Sequence, residues 1–386
     1  MKKLMLISSR FPFPPIGGDR LKNYNLIKIL SKSYDIHFVS LIDRDLNKED
    51  IEFCKRYCKE YKIFKKSKIS SIISTAKSIF NRKPLQVNYY YFSDVQKYIN
   101  EKVDSCDFII NTLIRTSEYV KNINKPKYLD MVDSIALNYK RSEKNVKSKF
   151  WKIIYKYEII KLLNYEKECL SLYDNTFFVN KEESEYWKEF GKTIWIPNGV
   201  NNMLFDYNKK NSKYINYIAF FGKMDYQPNI DAVIWFINNI FDELNKNIKF
   251  IIVGSNPTGQ IKNLENDRIK ITGFIEDPYE VLNSCFCCIA PMLTGGGIQN
   301  KILETMALGK ITLTTTLGAT PILGAKNNSE LLIADNVKDM ITLINDLYES
   351  RNTQKFSKIE INSKEFIKNN FTWDSYEKKL KLMLNR

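Results

Sequence analysis

The chain has 386 residues, of which 44% are apolar and 27% are charged, and its 59 basic and 44 acidic side chains give a net charge of +15. This composition excludes a disordered or collagen-like chain, and no segment reaches the roughly 20 apolar residues that a transmembrane helix requires. The length predicts two domains. The charge favours an anionic partner, such as a sugar nucleotide, an anionic membrane surface or a nucleic acid, while a compositional bias towards lysine explains it equally well.

The seven cysteines follow neither a metal-binding nor a disulfide pattern. Cys54 and Cys58 have helical spacing in a polar segment, and Cys285, Cys287 and Cys288 lie in an apolar run that is typical of a buried strand. We therefore expect small buried thiols and no metal site. A reducing, cytoplasmic location fits this cysteine usage, with peripheral contact at the inner membrane face as a further expectation.

Strands and helices alternate along the first half of the chain. Its predicted elements begin with a strand, a turn-rich loop, a helix and a strand, at Leu4–Ser8, Phe11–Gly18, Arg20–Ser31 and Ile36–Leu41. Apolar runs predict three further strands, at Phe108–Asn111, Lys127–Met131 and Thr176–Val179. This order is typical of a doubly wound parallel sheet, and we assign residues 1–200 to a first domain.

Two long basic segments interrupt this alternation. Lys62–Lys83 mixes lysine with isoleucine and phenylalanine, and Lys144–Leu172 predicts a long helix with apolar positions that include Trp151. Apolar and basic residues in the segments Lys62–Lys83 and Trp151–Leu172 indicate contact with an anionic membrane surface. Ordinary surface helices explain the same residues at least as well.

A second series of strands and helices follows a polar stretch, residues 201–213, which we interpret as an interdomain linker. Its strands are predicted at Tyr217–Phe221, Lys249–Val253, Ile269–Thr272, Cys285–Ala290 and Ile311–Thr315. Its helices are predicted at Ile230–Leu244, Pro278–Asn283 and Gln299–Leu308. The series predicts a second parallel-sheet domain over residues 214–370, and residues 371–386 predict a final helix that packs back towards the first domain.

The most informative motif is a glycine loop, Gly295–Gly297, between a predicted strand and a predicted helix. Backbone N–H groups at such a helix N-terminus receive anions, and glycine lets a diphosphate approach the backbone closely. Lys301, one turn into the helix, would neutralise phosphate, and Glu304 would accept hydrogen bonds from a ribose diol. The alternatives are a simple tight turn and an exposed Glu304–Lys301 pair.

The order of motifs resembles the family 4 glycosyltransferases, which are retaining enzymes of the GT-B fold. The resemblance covers nearly the whole chain and is strongest from Phe220 to Thr316. Its motifs lie at Pro14–Gly18, Phe220–Asn229, Ile271–Ile275, Lys301–Gly309 and Leu317–Pro321. One such motif alone would be weak evidence, whereas five in the right order are specific.

The resemblance implies two doubly wound, Rossmann-like domains that face each other across a cleft, with the donor bound mainly by the second domain. A Gly-Lys pair after the first strand of that domain would reach the donor pyrophosphate, and the loop containing Phe274 would face the nucleobase. The acceptor would lie on the first domain, near Gly17 and Gly18. The donor-binding residues implied are Gly17, Gly18, Gly222, Lys223, Phe274, Gly295, Gly296, Gly297, Ile298, Lys301 and Glu304.

The chain departs from the family pattern in its second domain at two positions. Gly296 stands where relatives commonly have a first glutamate, so backbone amides of Gly297 and Ile298 would take over part of its work. Relatives also often carry a second basic residue where this chain has Pro228 and Asn229.

A third departure concerns the histidine that contacts the sugar in many relatives. The sole histidine, His37, lies within a predicted strand, and we interpret it as structural. Asp133 is the best positional match for the sugar contact, and Asp130 is the second. The alternative for Asp133 is a helix N-cap. The candidate catalytic residues are thus Asp133, Lys301 and Glu304.

The implied activity is a retaining transfer of sugar from a UDP-, GDP- or similar nucleotide sugar to a glycan or lipid-linked acceptor in cell-surface polysaccharide synthesis. The resemblance implies neither a metal nor another cofactor. The alternatives are another GT-B nucleotide-sugar enzyme, such as an epimerase, a non-catalytic scaffold, and a nucleic-acid-binding protein. The chain offers few acid–base side chains for an epimerase and no aromatic-rich basic motif for RNA, so these alternatives fit less well.

Overall fold

The computed structural model describes residues 1–76, 81, 83–143 and 149–384. Contacts divide the chain into two compact units, Met1–Ile196 and Pro197–Arg386. Parts of the two basic segments singled out in the sequence, residues 77–80, 82 and 144–148, lie outside the described residues. No helix within the described residues combines the length and the apolarity needed to cross a bilayer.

The first unit is built on a seven-stranded parallel sheet. Its strands are β1 (Lys2–Ser8), β2 (Tyr34–Ile42), β3 (Glu60–Lys65), β4 (Phe108–Thr112), β5 (Lys127–Val132), β6 (Asn175–Phe178) and β7 (Thr193–Trp195). They are ordered β3-β2-β1-β4-β5-β6-β7. The central strands consist of buried apolar runs, as expected for a parallel sheet that helices cover on both faces.

Helices connect these strands in the manner of a doubly wound fold. They are α1 (Gly18–Leu30), α2 (Lys48–Tyr57), α3 (Lys68–Ala76), α4 (Leu85–Tyr89), α5 (Ser93–Lys102), α6 (Ile135–Ser142), α7 (Lys149–Leu172) and α8 (Lys181–Trp187). Side-chain caps define several of the helix starts. Asn47 and Asp50 form a capping box at α2, and the Ser134 hydroxyl accepts a hydrogen bond from Leu137 N at the start of α6.

The second unit contains a six-stranded parallel sheet. Its strands are β8 (Tyr217–Phe221), β9 (Lys249–Val253), β10 (Ile269–Gly273), β11 (Cys287–Ala290), β12 (Thr312–Thr314) and β13 (Leu332–Ile333). They are ordered β10-β9-β8-β11-β12-β13. Its helices are α9 (Gln227–Asn239), α10 (Gly259–Lys262), α11 (Pro278–Ser284), α12 (Asn300–Ala307), α13 (Thr316–Ala319), α14 (Val337–Glu349), α15 (Ser357–Asn370) and α16 (Trp373–Leu384).

Residues 201–213, interpreted from the sequence as a linker, fall within the second unit. They contain the short 3-10 helix Asn202–Asp206 and the start of another, Ser212–Tyr214. Asn211 N donates to Ser284 Oγ at 2.7 Å, which attaches this stretch to α11. The packing of the last helix towards the first unit stays a prediction.

The predicted roles of the cysteines and of the histidine are confirmed. All seven cysteines are buried free thiols, and burial raises the pKa of Cys54 and of Cys288 to about 12. His37 is buried in β2, with its Nε2 2.8 Å from the Tyr98 hydroxyl, and burial lowers its pKa. These side chains therefore belong to the structural core.

Candidate active site

The strand order of the second unit reverses direction between β8 and β11, which is the place where ligands bind in doubly wound folds. Gly222 and Lys223 follow β8 directly, and the glycine loop, Gly295–Gly297, follows β11 and leads into α12. The sequence motifs of the donor site therefore converge at the carboxyl edge of one sheet.

Lys301 lies at the centre of this convergence. Its half-buried ammonium donates to Asn229 Oδ1 at 2.6 Å and to Gln299 Oε1 at 3.1 Å. A Cβ atom on Gly222 would lie 3.2 Å from Lys301 Cε and 2.7 Å from Asn229 Nδ2, so this position has no room for a side chain. Burial lowers the pKa of Lys301 to about 7. Binding of an anion would favour the charged form of Lys301, which burial disfavours.

Asn229 bonds to both sides of this site, although the sequence indicated it only as a place where relatives carry a basic residue. It is buried in the first turn of α9, and its Nδ2 donates to the Lys223 carbonyl at 2.8 Å. Its Oδ1 accepts from Lys301, so one amide connects the loop after β8 to the start of α12. Asparagine supplies both a donor and an acceptor, which the basic residue of the relatives does not.

Glu304 lies one turn further along α12, and it is also half-buried. Its Oε2 accepts from the Tyr279 hydroxyl at 3.4 Å, and burial raises its pKa to about 7 against the opposing effects of Tyr279 and Lys301. The Tyr279 ring lies 6.2 Å from that of Phe221 at the end of β8. The alternative of an exposed Glu304–Lys301 ion pair is wrong, because each side chain bonds to other partners in a half-buried setting.

The glycine loop requires glycine at two of its positions. Gly295 has φ of 117° and Gly297 has φ of 68°, a left-handed backbone that other residues rarely adopt. No side chain caps α12, so its first N–H groups face the loop without a side-chain acceptor. Ile298 has a buried side chain, so its backbone is the part of the residue that remains for a ligand.

The side chains of two predicted donor residues, Lys223 and Phe274, lie outside this contact network. The Lys223 ammonium pairs with Asp225 at 3.0 Å, and it forms neither a hydrogen bond nor an ion pair with Lys301 or Glu304 within the described residues. Phe274 follows β10, and 64% of its surface is exposed, which leaves the ring open to a stacking partner. Both remain predictions as donor contacts.

The first unit has its own reversal of strand order, between β1 and β4. Gly17, with φ of 100°, precedes α1, and Gly18 is the first residue of that helix. Leu113 and Val132 have φ of 63° at the ends of β4 and β5, a rare conformation for branched side chains. Such backbone outliers cluster at functional sites. The contact of Gly17 and Gly18 with a donor stays a prediction.

The two aspartates that the sequence indicated for the sugar contact lie in different environments in the structure. Asp130 forms a buried ion pair with Lys22 of α1. Asp133 is half-buried just beyond β5, where Asn138 Nδ2 donates to its Oδ2 at 2.6 Å, and burial raises its pKa. The alternative that Asp133 is an N-cap is wrong, because Ser134 caps α6. Asp133 is thus the aspartate available to a ligand.

Buried glutamates hold the turn that carries Asp133. Glu166 accepts from Ala136 N at 3.0 Å, and Glu183 accepts from Ser134 N at 2.8 Å. Burial raises the pKa of Glu166 to about 8 and that of Glu183 to about 7. These bonds occupy N–H groups at the start of α6 and fix the position of Asp133.

The sequence did not predict Arg115, whose charge acts on Asp133, or the link from Arg115 through Tyr90 to Arg10. The Arg115 guanidinium lies 5.2 Å from the centre of the Tyr90 ring, and Arg10 Nε donates to the Tyr90 hydroxyl at 3.2 Å. Arg115 Nε is buried and has no hydrogen-bond partner within the described residues. The positive charge of Arg115 opposes the rise in the Asp133 pKa. The site thus holds an aspartate and an arginine that retains hydrogen-bonding capacity.

The described residues contain no group of three histidine, cysteine, aspartate or glutamate side chains arranged to hold a metal ion. Lys301 and the N-terminus of α12 supply positive charge at the β8–β11 site.

Comparison with known proteins places these observations in a class. Residues 215–350 match the family model described as Glycosyl transferases group 1. A Klebsiella pneumoniae protein described as "Uncharacterized 44.6 kDa protein in cps region" is 26% identical over 393 residues, covering 96% of this chain and 97% of that protein.

Solved structures share the fold at low identity. Sucrose-phosphate synthase from Thermosynechococcus elongatus is 14% identical, with a TM-score of 0.72, and the match covers 100% of this chain and 98% of that chain. Anabaena Alr3699/HepE, solved in complex with UDP and glucose, is 14% identical, with a TM-score of 0.68 and 99% of each chain covered.

The two parallel-sheet units and these neighbours define a GT-B protein, as the sequence predicted. Within this fold, the segment 215–350 is similar to the group 1 glycosyl transferases.

Proposed function

We propose that the protein is a retaining glycosyltransferase that takes a sugar from a nucleotide-sugar donor bound at the β8–β11 edge of the second unit. The observation that carries the proposal is the half-buried Lys301, held by Asn229 beside Gly222 and the glycine loop. A cation with a pKa lowered to about 7 gains most from a ligand that brings negative charge. A nucleoside diphosphate is such a ligand.

In this proposal the diphosphate lies against the glycine loop and the first N–H groups of α12, with Lys301 beside it. Glu304 accepts hydrogen bonds from the ribose diol. The bond between the anomeric carbon and the phosphate oxygen breaks, and the departing nucleoside diphosphate keeps the electron pair. Lys301 stabilises the charge that develops on that phosphate. The acceptor hydroxyl attacks from the same face, and its proton passes to the leaving phosphate.

The acceptor side of the proposal rests on the first unit. Asp133 would hold sugar hydroxyls or support positive charge that develops at the anomeric carbon, and the Arg115 Nε, which has no hydrogen-bond partner within the described residues, is a further donor whose charge acts on Asp133. The relative in a cps region supports a polysaccharide or lipid-linked glycan acceptor. HepE, solved with UDP and glucose, supports a uridine nucleotide as donor. The motifs that resemble family 4 support the assignment to that family and the retaining outcome.

A donor screen tests this function. The unfolding temperature of the full chain is measured with UDP, GDP and their sugars, for the wild type and for Glu304→Ala. We expect one nucleotide series to raise the unfolding temperature of the wild type, and a smaller rise for the variant because the ribose contact is lost. Transfer from the selected donor to a glycan acceptor is then assayed. The proposal fails when no nucleotide changes the unfolding temperature.

The affinity for a UDP-sugar is expected to be greatest near pH 7. The diphosphate favours the Lys301 ammonium, which is lost above its pKa of about 7, and the ribose favours the Glu304 carboxylate, which is lost below its pKa of about 7. Binding titrations from about pH 5.5 to about pH 8.5 would show that the affinity falls on both sides of this maximum, by up to about tenfold per pH unit. A UDP-sugar is used because the terminal phosphate of UDP itself titrates near pH 6.

Two variants test the alkaline and the acidic side of this pH profile separately. Lys301→Gln removes the loss of affinity on the alkaline side, and Glu304→Gln removes the loss on the acidic side. A profile that both variants leave unchanged would mean that neither residue contacts the donor.

Removal of divalent metal ions is expected to leave transfer unaffected. Lys301 and the N-terminus of α12 supply positive charge where a metal would otherwise neutralise the diphosphate. Initial rates with excess EDTA should equal those with added Mg²⁺ or Mn²⁺. A rate that EDTA abolishes and Mn²⁺ restores would contradict this expectation.

A further inference from the structure

Helix α3 turns its apolar residues away from the protein. Ile69, Ile72 and Ile73 have 71%, 63% and 65% of their surface exposed, whereas Ser71 and Ser74 are only 6% and 4% exposed. The spacing of the three isoleucines places them on one helical face. Ser74 Oγ donates to the Tyr91 carbonyl at 2.8 Å, so a polar face is fixed inward. The outward face is therefore apolar and uncovered.

Helix α7 carries a second exposed apolar stripe. Ile153, Tyr157 and Ile160 are 69%, 61% and 59% exposed, at spacings of four and three residues that share one face. Ile159 and Leu162 on the opposite side are buried against the unit. A helix that is apolar on both faces is expected where a second apolar environment covers the outer one.

Both helices pack beside the same short helix, α4. Ser74 of α3 bonds to Tyr91, just after α4, and Glu158 of α7 accepts from Gln86 N within α4 at 3.5 Å. The two stripes thus belong to one region of the first unit.

Lysines accompany the exposed apolar residues. Lys68 is exposed at the start of α3, and Lys62 is exposed in the preceding strand, β3. Lys152 and Lys156 are exposed on α7 beside Ile153 and Tyr157. Some charges nearby are balanced, since Lys65 pairs with Asp45, Lys66 with Asp94, and Lys156 lies 3.9 Å from Glu143. Basic residues next to isoleucine and tyrosine are typical of helices that lie in a membrane interface.

We propose that the outward faces of α3 and α7 form a docking surface for an anionic lipid bilayer. The isoleucines and Tyr157 would enter the boundary between headgroups and acyl chains, and the lysines would face anionic headgroups. A second copy of the chain is a poorer occupant, because it would bring a net charge of +15 and the same lysines to the contact. The proposal does not depend on the donor site, since binding to lipid requires neither donor nor acceptor.

Co-sedimentation of the full chain with vesicles tests this surface. Vesicles of phosphatidylcholine alone are compared with vesicles of equal parts phosphatidylcholine and phosphatidylglycerol. We expect binding to the anionic vesicles, weakened by added salt, and little binding to the neutral ones.

Two triple variants remove the apolar stripes separately, and a third is the matched control. The stripe variants are Ile69→Ser/Ile72→Ser/Ile73→Ser and Ile153→Ser/Tyr157→Ser/Ile160→Ser. The control removes comparably exposed residues from other helices, as Tyr186→Ser/Ile361→Ser/Leu382→Ser. Each stripe variant should lower the vesicle partition coefficient about tenfold or more, and the control should leave it unchanged.

The replaced side chains are exposed, so all three variants should retain the unfolding temperature of the wild type. Equal binding by the stripe variants and the control would overturn the proposal. A wild-type dimer that becomes monomeric when the α3 stripe is replaced would also overturn it, because a second copy would then cover the surface.

Discussion

Replacing Lys301 by methionine is expected to reduce kcat/KM for sugar transfer by about 100- to 1000-fold, the usual effect of removing one group that stabilises a developing oxyanion. The ammonium lies between Asn229 and Gln299 at the start of α12, and methionine fills a similar volume without the charge. The measurement is the initial rate of transfer from the donor identified in the screen, at saturating and subsaturating concentrations.

The stability of the Lys301→Met variant distinguishes this effect from misfolding. Burial lowers the pKa of Lys301, so the charged form is disfavoured in the folded protein, and removal of the charge should leave the unfolding temperature unchanged or raise it. Lys262→Met is the control, because that side chain is exposed on α10 and is not among the residues implied in donor binding. Equal activity of both variants would refute the role given to Lys301.

The second prediction with a large effect distinguishes the role of Asp133 from that of Asp130. Asp130→Asn removes the carboxylate that faces the buried Lys22 ammonium, and we expect it to lower the free energy of unfolding by about 3–5 kcal/mol. Asp133→Asn keeps an oxygen that can accept from Asn138, and it removes a carboxylate whose charge burial disfavours. We expect it to preserve stability while kcat falls about tenfold or more. Urea unfolding and transfer kinetics, measured side by side, check both expectations.

A reversed pattern would contradict this assignment. An inactive but fully stable Asp130→Asn variant would make Asp130 the ligand-facing residue. An active Asp133→Asn variant with a lowered unfolding free energy would make Asp133 structural.

The apolar strands and the glycine motif could be predicted because their signals are local. β8, β9 and β10 begin where the sequence predicted, and α12 lies within the predicted helix Gln299–Leu308. Strands β3, β7 and β13 were missed. Each lies at an edge of its sheet, β7 and β13 have only three and two residues, and no residue of β3 is buried. Such strands become recognisable only through the neighbour with which they pair.

The residues that complete the site could not be predicted, because their roles depend on distant partners. Asn229 bonds to Lys301, 72 positions away, and Tyr279 bonds to Glu304, 25 positions away. Arg115 follows β4 and Asp133 follows β5, so the charge of Arg115 acts on Asp133 only after the sheet pairs these strands. Asn229 lay inside a motif that the sequence had singled out, whereas Arg115 and Tyr279 carried no comparable signal.

The most direct test of the donor site measures the protons taken up when a UDP-sugar binds. At pH 8, one unit above its pKa of about 7, Lys301 is about nine-tenths neutral, while Glu304 is already largely ionised. Calorimetric titrations in two buffers of different ionisation enthalpy would therefore show an uptake approaching about one proton per donor bound by the wild type and none by Lys301→Met. Binding without proton uptake, or equal uptake by the variant, would contradict the placement of the diphosphate beside Lys301.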